Sequence, residues 1–302
     1  MPGSAAVPRH CLVTGANRGL GLEFVRQLLA RGDRVVATCR HPGRATALNA
    51  LAGEHPGRLQ VLPLDVAVAR SREELVRELP LVLDGARIDL LINNAGLLHG
   101  GERFGQVAQS DLEASLHTNA IGPFLLTQAL APWLAEAGND ARREGAVVAN
   151  LSSEIGSIAQ RREFRTPSYA IGKAAQNMGT VLLDKALAPR GIRVVALHPG
   201  WVRTDMGGAD APLAAAEAAA ALLRTLDGLG PLDGGRFLDG AGHSLPWWGF
   251  PGRGLGLRTS AAAADTRTLP DYAFPINGLE LARGVRCLGV SSAMHLQNLN
   301  NR

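Results

Sequence analysis

The run Cys11-Leu12-Val13-Thr14-Gly15-Ala16-Asn17-Arg18-Gly19-Leu20-Gly21 reads as a strand, a turn and the opening of a helix. Glycines at 15, 19 and 21 allow a tight turn between the apolar triplet and an amphipathic stretch from Gly19 to Ala30. A turn in that position lets backbone N–H groups approach a pyrophosphate at the positive end of the helix. The spacing is looser than GxGxxG and leaves room for a side chain. Gly15, Asn17, Arg18, Gly19, Leu20 and Gly21 are therefore candidate nucleotide-binding positions.

Working outward, the alternation continues along most of the chain. Apolar runs at 34–38, 59–62, 88–92, 146–151, 192–197 and 235–238 are separated by helix-patterned stretches at 45–52, 71–83, 111–136, 168–188 and 212–226. Runs too continuous to have one wet face, separated by helices, predict a parallel sheet covered on both sides. The expected fold class is thus a doubly wound, Rossmann-like α/β domain over residues 1–248, with about seven strands in the middle of three layers. From Gly249 the pattern fails: a glycine-rich start, an alanine run and a polar end predict a loop-like or disordered extension over 249–302.

Charge excludes one class of partner. The chain of 302 residues carries a formal +4, but 249–302 holds six Arg against three acids, which leaves 25 basic and 24 acidic residues before it. No basic patch for nucleic acid is expected from that balance. Cys11, Cys39 and Cys287 are odd in number and far apart, with no CxxC and no histidine cluster, so neither a disulfide framework nor a metal site is expected. No apolar run is long enough to cross a membrane and no signal-peptide pattern opens the chain, so the expected location is the cytoplasm.

Two further features point to chemistry. At the end of the second strand, Thr38-Cys39-Arg40 puts a guanidinium where an NAD site would place an acid for the ribose hydroxyls. Arg40, with Arg18, suits the extra phosphate of NADP(H). Asp65, with Val66 beside it, follows the third strand and is placed to accept from an adenine amine or to cap the next helix. The second feature is Tyr169 and Lys173, four residues apart in a chain with two tyrosines and two lysines. Such a pair arises by chance with a probability of about 0.01. In a helix the two share a face, where an ammonium favours the ionised phenol, so the pair is a candidate acid/base.

Taken in order, Thr14-Gly15-x-x-x-Gly19-x-Gly21, Asn93-Asn94-Ala95-Gly96, Asn119, Ser152-Ser153, Tyr169-x-x-x-Lys173 and Pro199-Gly200 resemble the short-chain dehydrogenase/reductase family over 8–248. The wording around Asn17-Arg18-Gly19, Leu197-His198-Pro199-Gly200-Trp201-Val202 and Arg236-Phe237-Leu238-Asp239 is most like its C-factor and sniffer branch, which includes NADPH-dependent carbonyl reductases. The resemblance implies a catalytic tetrad: Tyr169 as proton donor, Lys173 lowering its pKa with the help of the nicotinamide's charge and binding the nicotinamide ribose, Ser153 holding the substrate carbonyl, and Asn119 kinking its helix and anchoring a water. It also implies that Asn94, Ala95 and Gly96 wall the nucleotide crevice, and that Pro199, Gly200, Val202 and Thr204 lie at the nicotinamide, with Thr204 on its carboxamide.

The expected activity is reduction of an aldehyde, ketone or quinone to an alcohol with NADPH. The expected partners are a small carbonyl or alcohol substrate and, through the helices near 111–136 and 168–188, a second copy of the chain in a homodimer or homotetramer. Trp201 and His99 are candidate substrate contacts, and His198 receives no role. A small lid is expected between Gly200 and Pro212. The competing reading is a nucleotide-binding signalling or scaffold protein of the same fold, against which the intact tetrad argues.

Overall fold

The computed structural model describes residues 8–138 and 145–248. Residues 249–302, expected to form an extension, lie outside the described residues, as does Cys287. The strands β1 (His10–Thr14), β2 (Arg34–Cys39), β3 (Leu59–Pro63), β4 (Leu90–Asn93), β5 (Val147–Leu151) and β6 (Arg193–Leu197) coincide with apolar runs. Every residue of β4, β5 and β6 is buried, as expected of strands covered on both faces. Alternation sorts their side chains: Cys11, Val13, Leu90, Ile92, Val147 and Ala149 face one core, while Leu12, Leu91, Val148 and Val194 face another.

The helices divide between the same cores. α1 (Gly19–Ala30) delivers Phe24, Val25 and Leu28 to the first, joined by Leu48 of α2 (Thr46–Glu54). α3 (Ala69–Leu83), α4 (Gln109–Leu116), α5 (Gly122–Leu130) and α6 (Pro167–Leu187) cover the other face, with Leu75, Leu79, Leu126 and Leu183 in its core. The short β7 (Val202–Arg203) and β8 (Leu213–Ala214) precede α7 (Ala215–Asp227), which supplies Leu222 and Leu223 to the first core, and β9 (Phe237–Leu238) closes the series. Each fully buried leucine, such as Leu28 or Leu79, contributes roughly 2 kcal/mol from area removed from water.

The main sheet has seven parallel strands in the order β3-β2-β1-β4-β5-β6-β9. The winding reverses between β1 and β4, so the crevice for a ligand opens beyond the carboxyl ends of those strands. Two departures from the expected elements matter to the site. The long helix expected over 111–136 is interrupted: α4 gives way to a π turn at His117–Ile121 before α5 begins. Pro123 is the physical reason, since it has no N–H for the Asn119 carbonyl four residues back and its ring crowds that carbonyl. Gly122 N–H bonds to the His117 carbonyl instead, the longer π spacing. The second departure is that the 200–214 segment is not plain loop, because β7 and β8 pair within it.

Candidate active site

The glycine turn sits where β1 meets α1, and it is held from β4. Asn94 Nδ2 donates to the carbonyls of Thr14 (2.9 Å) and Gly15 (3.0 Å), and Thr14 Oγ1 accepts from the main-chain N–H of Asn94 and of Ala95 (3.0 Å each). A Cβ at Gly21 would stand 2.4 Å from the Gly15 carbonyl oxygen and 2.5 Å from Asn94 Nδ2, so only glycine fits that close approach. Arg18, the N-cap residue of α1, makes no side-chain capping bond, which leaves the helix terminus free for an anion.

A cleft of about 1260 Å³ runs from this turn. All the positions expected to hold a cofactor line it: Gly15, Asn17, Arg18, Gly19, Leu20, Gly21, Arg40, Asp65, Val66, Asn94, Ala95, Gly96, Tyr169, Lys173, Pro199, Gly200, Val202 and Thr204. The glycine-only cradle, the uncapped helix end and the guanidinium groups of Arg18, Arg40 and Arg44 fit a phosphorylated dinucleotide. His41 and Arg44, in the 3₁₀ turn after β2, escaped the sequence reading, although the spacing of Arg40, His41 and Arg44 carried the signal. Asp65 does not cap α3, whose N-cap is Val68. Its carboxylate accepts from Ala67 N–H at 3.0 Å and lines the cleft.

Farther along, Ser153, Tyr169 and Lys173 form the wall. Gly156 sets this arrangement, because a Cβ there would lie 2.8 Å from Cβ of Lys173, so the turn after Ser153 packs directly on α6. Ser153 Oγ accepts from Ile155 N–H at 3.2 Å and shares a hydrogen bond with the Tyr169 phenol. Lys173 Nζ donates to the Leu151 carbonyl (2.6 Å) and to Gln176 Oε1 (2.9 Å), and lies 5.5 Å from the centre of the Tyr169 ring. His198 Nδ1 accepts from Glu154 N–H at 3.3 Å, and burial pushes the imidazole pKa down against the pull of Glu154.

Among the protein's own groups, before any cofactor charge is added, burial dominates the phenol. Burial pushes Tyr169 up to about 12, against a smaller lowering by the Ser153 bond. The same burial pushes Lys173 down to about 7, so the lysine near neutrality is only partly an ammonium.

Asn119 does not line the cleft; it is wholly buried behind the wall, in the π turn. Its amide donates to the Leu97 carbonyl (2.7 Å) and Ser115 Oγ (2.9 Å) and accepts from Leu97 N–H (2.8 Å), while Ser115 Oγ donates to the Ser168 carbonyl on α6. Asn119 is therefore tied to the loop after β4 through the Leu97 backbone and, through Ser115, to the backbone of Ser168 beside Tyr169. His99 also lies off the cleft, with Nδ1 3.6 Å from Asp111, whereas Trp201 lines it and donates to the Gly207 carbonyl at 2.7 Å. The lid carries more than expected, since Asp205 pairs with Arg18 across the cleft mouth and Met206 joins the lining.

Known proteins are similar to this chain in sequence and in fold. A family model described as short chain dehydrogenase matches residues 9–212. The C-signal protein of Myxococcus xanthus is 40% identical over 162 residues, which span 53% of this chain and 93% of that protein. Among solved structures, the carbonyl reductase Sniffer of D. melanogaster superposes with a TM-score of 0.74 at 32% identity, over 80% of this chain and 100% of that one. An NADPH-bound carbonyl reductase from chicken fatty liver gives 0.72 at 36% identity, over 80% and 99%.

Proposed function

The chain belongs to the short-chain dehydrogenase/reductase family, and from that membership we propose that it is an NADPH-dependent reductase of aldehydes, ketones or quinones. The observation that carries the reading is the bonded Ser153–Tyr169 pair on the wall of a cleft that continues to the glycine turn, Arg18 and Arg40. Arg40 and Arg18 would hold the extra phosphate, with Arg44 beside them, and Asp65 would accept from the adenine amine. The NADPH-bound state of a similar carbonyl reductase supports that cofactor choice.

When bound, the reduced nicotinamide supplies the hydride and is left with a positive ring. Tyr169 gives its phenolic proton to the substrate oxygen as that oxygen gains charge, while Ser153 Oγ donates a hydrogen bond to the same atom. Lys173, with a pKa near 7, is suited to return a proton to the phenolate. In the π turn, Pro123 leaves the Asn119 carbonyl without its usual helical donor, which suits it to a water feeding Lys173.

Assembly and location belong to the same reading. Exposed Ile121, Ile171, Met178 and Leu182 on the π turn and α6 suit a homodimer or homotetramer, which light scattering would reveal. Among the described residues no helix is long and apolar enough to cross a membrane, and Cys11 and Cys39 are free and buried, which is compatible with the cytoplasm. The reaction is tested by NADPH consumption on a panel of aldehydes, ketones and quinones, with Tyr169→Phe as control. Loss of turnover in Tyr169→Phe is expected. A wild-type protein that binds NADPH yet reduces nothing on the panel overturns the reading in favour of a nucleotide-binding signalling protein.

A further inference from the structure

Beyond Tyr169 the cleft is lined by two loops. One follows β4 and carries Glu102; the other joins β5 to α6 and carries Arg161. Phe104 and Phe164 bring the loops together, their rings edge to face with centroids 5.5 Å apart. The second loop is pinned from its far side, where Ser157 Oγ donates to the Pro246 carbonyl (2.6 Å) and Ile158 N–H to the Trp247 carbonyl (3.2 Å).

On this built frame two opposite charges are left without partners. Both carboxylate oxygens of Glu102, and Nε and Nη1 of Arg161, are shielded from solvent and make no hydrogen bond among the described residues, to each other or to any other group. Burying a charged group without a partner is strongly unfavourable, so such atoms in a cleft mark what a ligand has to supply. An anion alone would satisfy Arg161 and leave the Glu102 carboxylate without a partner. A cation alone would do the reverse, and a neutral ligand would satisfy neither.

We propose that this end of the cleft receives an amino-acid head group, with its carboxylate on Arg161 and its ammonium on Glu102. The substrates are then carbonyl compounds that carry a free amino acid or the zwitterionic end of a short peptide. The guanidinium fork suits a carboxylate, and the Glu102 oxygens accept from an ammonium. The chemistry rests on the reductase reading above; the binding does not.

The test uses one skeleton in three forms: 4-formylphenylalanine, its N-acetyl derivative and its methyl ester. With NADPH the wild-type protein is expected to prefer the free amino acid over each derivative by on the order of tenfold to a hundredfold in kcat/KM. Arg161→Gln should collapse the preference over the ester alone, Glu102→Gln the preference over the N-acetyl form alone, and Arg161→Lys should restore part of the first. Equal wild-type rates on all three compounds, or variants that leave both ratios intact, overturn the proposal. Calorimetric binding of phenylalanine, which has no carbonyl to reduce, supplies a readout independent of turnover. Binding that needs both charges without reduction of any aldehyde sinks the reductase reading and leaves the head-group site standing. Reduction without discrimination, or no binding of phenylalanine, sinks the site.

Discussion

Replacing Lys173 by methionine should alter the pH dependence of stability in a way worked out from its burial. An unburied lysine titrates near 10.5, and desolvation pushes Lys173 down to about 7 in the fold. Between those values the unfolded chain holds a proton that the folded chain has lost, so stability rises as pH increases through the window. The cost of the buried lysine is therefore full below pH 7 and gone above pH 10.5. At 1.36 kcal/mol per pKa unit, integration from pH 7 to pH 10 gives roughly 3–4 kcal/mol. Lys173→Met removes the titrating group, and comparing the two proteins at each pH cancels every other group. Urea denaturation at pH 7, 8.5 and 10 should show the advantage of Lys173→Met over wild type falling by about that amount across the range. The absolute offset also contains the loss of the bonds to Leu151 and Gln176, but that part does not vary with pH. A stability difference that stays constant from pH 7 to 10 would falsify the claim that burial controls this lysine.

Three other outcomes follow from particular contacts. Arg40→Asp should weaken NADPH binding by about tenfold or more and narrow the preference over NADH, measured by fluorescence titration; an unmoved preference rejects Arg40 as a phosphate ligand. Gly21→Ala forces a Cβ to within 2.4 Å of the Gly15 carbonyl oxygen, so NADPH binding should fall and stability drop by about 1–3 kcal/mol, while normal affinity would show the turn to be more plastic than described. Thr166 holds φ +46° at the N-cap of α6, so Thr166→Gly should raise stability by about 1 kcal/mol in thermal unfolding, and a lower melting temperature would mean the threonine is held by another contact that glycine loses.

The sheet was legible because its strands are buried on both faces, which writes them as nearly continuous apolar runs such as 147–151 and 193–197. The glycine turn was legible because close backbone approach admits no substitute at Gly21. What escaped has physical reasons as well. β7 and β8 are two residues each, too short for any period. The resemblance led to an expected kink at Asn119, but its form as a π turn was written in Gly122-Pro123 and masked by helical spacing on either side. Arg44 and Asp205 act through tertiary neighbours, and Glu102 and Arg161 become notable only when the fold shields them without giving them partners. The Tyr169 and Lys173 pair was legible as proximity, whereas the burial of both groups was not, because spacing does not reveal it.

That burial bears on how the Tyr169 and Lys173 pair would work under the proposed reaction. In the protein's own field burial raises the phenol pKa, so the phenol is neutral at neutral pH. A neutral phenol suits a group that has to begin as proton donor; it would not serve a group that begins as base. For the reverse direction, alcohol oxidation, the phenolate must form first, and it would need positive charge brought into the cleft from outside. A pyridinium ring beside Tyr169 is such a charge, and by Coulomb's law its pull is large where water is excluded. The pair would then be set for reduction by its own burial and for oxidation only by the oxidised cofactor, so the rate of oxidation should climb with pH far more steeply than the rate of reduction falls.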